Sequence, residues 1–202
     1  MKIHIIVLEY LEPDWQQTME CVHKTGLPYT IVSRDGVGNM SRAYNTILNK
    51  TITADYFWFV SNITFEPDVP VKLAETLLNT GWAACHPIMR SSDHKFQWDA
   101  KEPKETPFIE WTAPMVDFEV FNQHCLDEML PYYYMDLDWC HRVKPLKVGI
   151  APVEIQHTYL RNKKEHPIGQ IRKQLRNYWT PISQAHMISK YGKDWQNKLW
   201  PK

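Results

Sequence analysis

The sequence is poor in cysteine and glycine, and each shortage excludes a class of protein. Its 202 residues include only 4 cysteines, which are scattered without any Cys-x-x-Cys spacing. This excludes a cysteine-rich zinc site and a disulfide framework, so we expect reduced, packed cysteines in a cytoplasmic protein. The 7 glycines form neither a GxGxxG fingerprint nor a lysine-bearing phosphate loop. The second absence disfavours a nucleotidyltransferase.

The sequence also lacks long hydrophobic runs. No apolar stretch approaches the roughly 18 residues that a membrane-spanning helix needs, and no signal-peptide pattern opens the chain. Hydrophobic residues still make up 44% of the sequence, and the chain is long enough to bury a full core. We therefore predict one globular domain.

Charge is balanced overall but unevenly distributed. Residues 161–202 hold 10 Lys/Arg and 2 Asp/Glu, a balance of +8, which leaves −8 on residues 1–160. Five aromatic residues lie among those basic residues: Tyr178, Trp179, Tyr191, Trp195 and Trp200. Two interpretations are open. The segment contacts a polyanion or an anionic membrane surface, or it packs against the acidic body of its own chain.

The N-terminal third has the order strand, helix, strand and glycine-bearing loop. Ile3–Leu8 and Tyr29–Ser33 are apolar runs that predict buried strands, and a helix that ends near Thr25 separates them. Residues 34–39 then carry two glycines. This order is typical of nucleotide-binding α/β units, because ligands bind beyond the carboxyl ends of parallel strands. An ordinary turn with glycines at positive φ is the alternative.

Two carboxylates two positions apart are the most informative feature of the C-terminal half. Asp136 and Asp138 follow three tyrosines, and Arg142 follows four residues after Asp138. On a helix, positions i and i+2 diverge, whereas i and i+4 share a face. We therefore predict that Asp138 pairs with Arg142 and that Asp136 points from the start of a helix into a cleft. A carboxylate placed in this way is a candidate general base, although a helical N-terminus also favours acidic residues for structural reasons.

The segment from Leu126 to His157, with Gly149 and Pro152 within it, resembles the C-terminal half of glycosyltransferase family 2 enzymes of the GT-A fold. The resemblance implies that Asp136 is the base that deprotonates the acceptor hydroxyl, and we expect Asp138 to be a second catalytic residue that orients the site through Arg142. The resemblance also implies that His157 lies beside a metal ion and the donor diphosphate. Met135 stands where the family has a glutamate.

The N-terminal half resembles the same family more loosely. There the resemblance implies that a helix capped by Ser41 presents Arg42 and Asn45 to the nucleotide. The nucleobase contact falls on Ser33 or Asp35, and both alternatives remain. The end of the first strand and the residue before the expected metal ligand complete the predicted donor-binding set: Leu8, Glu9, Tyr10 and Ser61.

The expected metal motif is incomplete. Val60-Ser61-Asn62 aligns with the acidic metal motif of the family, so that an amide replaces its second acid. An amide oxygen binds Mg²⁺ or Mn²⁺ less tightly than a carboxylate does, so the resemblance implies a weakly bound ion held by Asn62 and His157. The alternative is that Asn62 caps a helix over 67–79.

The middle of the chain is expected to recognise the acceptor. Residues 82–87 predict a strand that ends in a turn, residues 90–107 a long loop, and residues 108–118 a further strand. The resemblance places the residues near Thr112–Ala113 beside the transferred sugar, and we group Trp111, Thr112 and Arg142 as acceptor-binding residues.

Together these features predict a single GT-A-like α/β domain with a central, mostly parallel sheet. It would have a nucleotide-binding half (1–80), an acceptor half (81–160) and a basic, aromatic helical tail (161–202). The implied reaction is inverting transfer from a nucleoside-diphosphate sugar such as a UDP-sugar. The expected acceptor is polyanionic, with DNA that carries a hydroxymethylated base preferred over a membrane surface. Transfer to saccharides or lipids and a non-catalytic nucleotide-sugar-binding relic are the alternatives.

Overall fold

The computed structural model describes residues 1–9, 15–33, 38–90, 99–157 and 167–199, with side chains from residue 173 onward in the last segment. The strands are β1 (Ile3–Glu9), β2 (Tyr29–Ser33), β3 (Tyr56–Val60), β4 (Ile63–Thr64), β5 (Ala84–Arg90), β6 (Lys104–Thr106), β7 (Met115–Asp117) and β8 (Val148–His157). The helices are α1 (Trp15–Thr25), α2 (Met40–Asn45), α3 (Val69–Thr80), α4 (Phe118–Gln123), α5 (Met135–Arg142), α6 (Pro167–Tyr191) and α7 (Trp195–Leu199), with a 3-10 turn at Thr46–Asn49.

The strands form one mixed sheet in the order β2-β1-β3-β7-β5-β8-β4, and β6 pairs with β8. Strands β1, β2, β3, β5 and β8 run in one direction, and β4, β6 and β7 run in the other. The sheet is therefore mostly parallel, as predicted. Two antiparallel pairs, β3–β7 and β4–β8, join strands of residues 1–80 to strands of residues 81–160.

Both faces of the sheet are covered, because successive side chains of a central strand enter two different buried clusters. In β3, Phe57 and Phe59 belong to one buried cluster, whereas Trp58 and Val60 belong to the other. Successive side chains of a strand point to opposite faces, so a strand buried on both sides is apolar throughout. Helices α1 and α3 pack over one face, and α2, α4, α5 and the C-terminal helices cover the other.

The predicted helix cap at Ser41 is wrong, and so is the alternative that Asn62 caps a helix. Asn39, with β-region φ, caps α2 by accepting a hydrogen bond from the Arg42 amide at 2.9 Å. Ser41 lies inside the helix and is buried, and its hydroxyl donates to the Leu130 carbonyl at 2.7 Å. Asn62 caps no helix, because α3 begins at Val69 with Asp68 at the N-cap position. Both Asn39 and Ser41 are favoured cap residues, so composition alone does not choose between them.

The middle of the chain differs most from its prediction. Strand β5 continues through Pro87 to Arg90. Its register against β8 shifts directly after Pro87, which has no backbone N–H to donate to the neighbouring strand. Only Met115–Asp117 of the predicted strand over 108–118 is extended, since the preceding residues fill the core with buried side chains such as Phe108 and Trp111. Residues 104–106 of the predicted loop form β6, and residues 91–98 lie outside the described residues.

The C-terminal helices pack against the body of the protein. Met187 of α6 and Trp195 of α7 are buried in the cluster that also contains Met135 and Trp139 of α5. Near the other end of α6, Leu175 lies against Gly38, where a Cβ would come within 3.0 Å of its side chain. Across the ranges described, no helix combines the length and the hydrophobicity needed to span a bilayer.

Candidate functional site

The carboxyl ends of β1, β2 and β3 meet at one edge of the sheet. Glu9 lies opposite Ser33, and the Ser33 hydroxyl donates a 2.5 Å hydrogen bond to the Glu9 carboxylate. Val7 lies opposite Val60, so β3 delivers Ser61 to the same edge. The Leu8 side chain is wholly buried in the core, which leaves only its backbone to contact a ligand. Tyr10 and Asp35, also predicted here, lie outside the described residues.

Helix α2 is held to the segment before α5 by polar contacts. The Asn45 amide group donates to the Leu126 carbonyl at 2.8 Å and accepts from the Leu126 amide at 3.0 Å. Arg42 pairs with Glu128 at 3.2 Å on the surface. Both side chains predicted to bind the nucleotide therefore also join the two halves of the protein, and their nucleotide contacts remain predictions.

Asn62 and His157 are brought together by the short ladder between β4 and β8. Ile63 is the direct partner of His157, so Asn62 lies one residue from that pairing. Asn62 is 5% exposed and adopts the left-handed conformation with φ of 52°, which asparagine tolerates better than most residues. Within the described ranges no three His, Cys, Asp or Glu side chains form a metal-binding group. An imidazole and an amide oxygen suit an ion that is completed by phosphate oxygens and water.

Asp136 lies in the first turn of α5 and is half-buried. Burial raises the pKa of this carboxyl group to about 6, although its Oδ1 accepts a 2.9 Å hydrogen bond from the Leu137 amide. Tyr134, two residues before Asp136, has a φ of 67°, a conformation that a non-glycine residue rarely adopts. A perturbed carboxyl group beside strained backbone is a marker of functional sites.

Asp138 has no exposed surface, and charged and polar groups surround it. Its Oδ2 accepts from Arg142 Nε at 2.7 Å, which confirms the predicted i,i+4 pair. Its Oδ1 accepts from the Tyr191 hydroxyl at 2.7 Å and lies 2.6 Å from Lys190 Nζ. Arg142 also donates to the Cys125 carbonyl at 2.7 Å. This arrangement neutralises a buried carboxylate and gives Asp138 and Arg142 interior partners.

A second carboxylate, Asp127, joins the same network and was not among the predicted site residues. It is hydrogen-bonded to His186 at 2.9 Å and to Lys190 at 2.8 Å. Burial opposes ionisation, but the hydrogen bonds from Lys190, His186 and the Met129 amide together lower the pKa of Asp127 to about 2. The excess of acidic residues in 1–160 and of basic residues in 161–202 was the sequence signal for these contacts. The contacts of His186 and Lys190 support the interpretation that this part of the tail packs against its own chain.

The predicted acceptor residues lie beside the core. Trp111 is 2% exposed and packs edge-on against Trp139, with ring centroids 4.8 Å apart, and also against Phe59. Its indole nitrogen has no hydrogen-bond partner among the described residues. Thr112 is half-buried. An acceptor contact for Trp111, Thr112 or Arg142 remains a prediction.

Several solved structures share this architecture at low sequence identity. A197 from STIV is 12% identical, with a TM-score of 0.61 over 79% of this chain and 86% of that one. GalNAc-T7 with UDP, GalNAc and Mn²⁺ is 8% identical, with a TM-score of 0.62 over 96% of this chain and 52% of that one. TarS residues 1–349 from S. aureus, in complex with UDP-GlcNAc, is 13% identical, with a TM-score of 0.56 over 99% of this chain and 78% of that one.

The chain has a GT-A fold. No family model matches the sequence, and no curated protein matches it. At 8 to 13% identity the likeness shows the fold alone, so the function has to be argued from the chemistry of the site.

Proposed function

We propose that this protein is an inverting glycosyltransferase, related to glycosyltransferase family 2, that moves a sugar from a nucleoside-diphosphate sugar to an acceptor hydroxyl. The observation that carries the proposal is Asp136, a half-buried carboxyl group in the first turn of α5 with a pKa raised to about 6. A group with that pKa is ionised at neutral pH and still basic enough to accept a proton during the reaction.

The donor is proposed to bind at the carboxyl edge formed by β1, β2 and β3. Glu9 and Ser33 lie side by side there, and Ser61 follows β3 at the same edge. Ligands of open α/β sheets bind beyond the carboxyl ends of the parallel strands. Because the GalNAc-T7 and TarS structures contain UDP or UDP-GlcNAc, uridine-diphosphate sugars are the first donors to test.

Asp136 is the proposed general base. The acceptor hydroxyl transfers its proton to Asp136 while its oxygen forms a bond to the anomeric carbon. The bond from that carbon to the diphosphate breaks on the opposite face, so the configuration inverts and the nucleoside diphosphate leaves. Placing a base in this way contributes about a hundredfold to ten-thousandfold in rate.

Asn62 and His157 are the residues that would hold a divalent ion on the diphosphate side. A bound Mg²⁺ or Mn²⁺ would offset the negative charge that develops on the leaving diphosphate. The pairing of β4 with β8 supports this assignment, because Ile63, the residue after Asn62, is the direct partner of His157. Asn62 would contribute a neutral oxygen, which makes the site a weak one.

A polyanion, with DNA preferred, is our proposed acceptor class. The supporting observation is that Lys173, Arg176 and Tyr178 are exposed on the outer surface of α6. The rings of Tyr178 and Trp179 lie edge-on there, with centroids 4.8 Å apart. Aromatic rings among basic residues suit stacking on bases beside phosphates. Lys173→Glu with Arg176→Glu should weaken DNA binding and flatten its salt dependence, since fewer counterions are released. The acceptor proposal is contradicted if the protein does not bind DNA at low salt. It is also contradicted if salt-dependent binding is found with anionic vesicles and not with DNA.

The donor proposal is tested by thermal shift with a panel of nucleoside-diphosphate sugars, followed by an assay of donor hydrolysis. A ligand that binds the native state raises its stability by RT ln(1 + [L]/Kd), so the preferred donor stands out. The proposal predicts stabilisation by one donor and slow hydrolysis of it. Stabilisation without any turnover would identify a nucleotide-sugar-binding relic.

A further inference from the structure

The turn that carries Asp136 is held at both ends by the two C-terminal helices. Tyr134 lies two residues before Asp136 and Asp138 two residues after it. We propose that Lys190 and Tyr191 of α6 are positioning residues, which fix the geometry of Asp136 through Asp138 without touching the substrate. This inference rests on the proposed function and adds a role for the C-terminal segment in it.

At the Asp138 end, α6 supplies two of the three side chains that satisfy the carboxylate. Tyr191 donates a 2.7 Å hydrogen bond to Oδ1, and Lys190 lies 2.6 Å from the same oxygen. Burial and the bond to Asp138 both raise the pKa of Tyr191, so its hydroxyl stays protonated and remains a donor. Because Asp138 is wholly buried, its position depends on these partners.

At the other end, α6 and α7 contact Tyr134. The Tyr134 ring packs edge-on against the buried Trp195, with centroids 4.8 Å apart, and its hydroxyl accepts a 3.3 Å hydrogen bond from Gln184. Tyr134 has a φ of 67°, and its carbonyl accepts from the Asp138 amide at 2.9 Å. A backbone conformation that is rare for tyrosine persists when surrounding contacts hold it, and these contacts come from the C-terminal helices.

Asp136 has little freedom to adjust independently of this turn. Its Oδ1 is hydrogen-bonded at 2.9 Å to the amide of the next residue, Leu137, so the carboxylate moves with the backbone. A shift of about 1 Å at a reacting group can lower a rate by about a hundredfold. Loss of the Asp138 partners should therefore affect turnover more than it affects donor binding, because the proposed donor contacts lie on β1, β2 and the residue after β3.

The test compares Tyr191→Phe and Lys190→Met with the matched controls Tyr29→Phe and Lys193→Met. Tyr29 is 40% exposed at the start of β2, where its hydroxyl lies 3.1 Å from His23 Nε2, and Lys193 is exposed just after the end of α6. Four quantities are measured: kcat, donor Kd, melting temperature and amide hydrogen exchange of residues 135–138 without substrate. We expect kcat to fall at least tenfold in the two test variants, donor Kd to stay within twofold, and exchange to accelerate. The controls should match the wild type.

A rescue variant and a double-mutant cycle distinguish a positioning role of Lys190 and Tyr191 from a role in stabilising the fold alone. Lys190→Arg keeps the positive charge and should recover most of the lost kcat. Tyr191→Phe combined with Asp138→Asn should lower kcat by much less than the product of the single effects, because both act through one contact. A purely structural role predicts a lower melting temperature with unchanged kcat per folded molecule and unchanged exchange, and that result overturns the positioning role. A wild-type protein that binds a donor but never turns it over contradicts the proposed function itself.

Discussion

Lys190, near the end of the C-terminal helix, lies 2.6 Å from the buried carboxylate of Asp138 on α5. The same ammonium group lies 2.8 Å from Asp127, so one basic residue of the tail bridges two acids of the body. Part of the basic excess of the tail is therefore used inside the molecule. The exposed side chains around Tyr178 remain available for a partner.

Replacing Asp136 with asparagine should remove the base and keep the fold. We expect kcat to fall about a hundredfold or more, while donor Kd changes little, because the nucleotide edge lies on other elements. Steady-state kinetics and a donor-binding titration measure the two quantities. Near-normal transfer by Asp136→Asn, combined with complete loss in a folded Asp138→Asn, would mean that the base has been assigned to the wrong carboxylate.

The pH dependence of turnover should show the same group. The folded-state pKa of Asp136 is raised to about 6, and the ionised form is the base. The value of kcat/KM should therefore rise with pH through about 6 and reach a plateau above 7. An acidic limb centred near pH 4 would show that the titrating base is an ordinary exposed carboxylate.

The raised pKa of Asp136 also predicts an effect on stability. The folded-state pKa of about 6 exceeds the unfolded value of about 3.9, so stability from this group is present below pH 4 and is lost as pH rises through 6. Asp136→Asn should consequently be more stable than the wild type at pH 8, by about 1–2 kcal/mol, since partial exposure reduces the full linkage effect. Denaturant unfolding at pH 4 and pH 8 tests this, and a larger advantage at pH 4 contradicts it.

Asp138→Asn should destabilise the fold instead. It leaves Arg142 and Lys190 facing a neutral amide in a buried position, and the expected loss is about 3 kcal/mol of unfolding free energy. Asp194→Asn is the matched control, because it breaks an exposed i,i+4 pair with Lys198 and should leave the melting temperature nearly unchanged. Equal melting temperatures for the two variants would show that the buried network adds little stability.

The metal prediction depends on the amide at position 62. Asn62→Asp restores a carboxylate beside His157, so Mn²⁺ or Mg²⁺ should bind more tightly and donor binding should depend more strongly on the ion. Isothermal titration with metal in the presence of a nucleoside diphosphate measures this. A wild-type protein already saturated at micromolar metal would reveal ligands beyond Asn62 and His157.

The sequence predicted those parts of the fold in which the local hydrophobic pattern matches the burial that tertiary contacts impose. The apolar runs of β1 and β3 predict buried strands, and both are central in the sheet. The positions of Asp136 and Asp138 on a helix predicted different environments for the two carboxylates, and Asp138 does pair with Arg142.

The remaining features depend on contacts that local sequence does not encode. Residues 108–114 are rich in apolar side chains but form no strand. Phe108, Ile109 and Trp111 fill the core, and only the residues after them, in the short strand β7, lie between β3 and β5. The contacts of Lys190 with Asp127 and Asp138 span more than 50 residues, so charge asymmetry predicted an attraction without naming its partners. Asn45 was predicted to bind nucleotide, and its hydrogen bonds to Leu126 appear only when both halves are folded.

The most direct test of the account is turnover of a UDP-sugar by the wild-type protein and by Asp136→Asn, measured as release of UDP with and without an acceptor. We predict that the wild type releases UDP, that a suitable acceptor increases the rate, and that Asp136→Asn binds the same donor with at least a hundredfold lower turnover. Release of UDP at equal rates by both proteins, or by neither across a full panel of donors that bind, would contradict it.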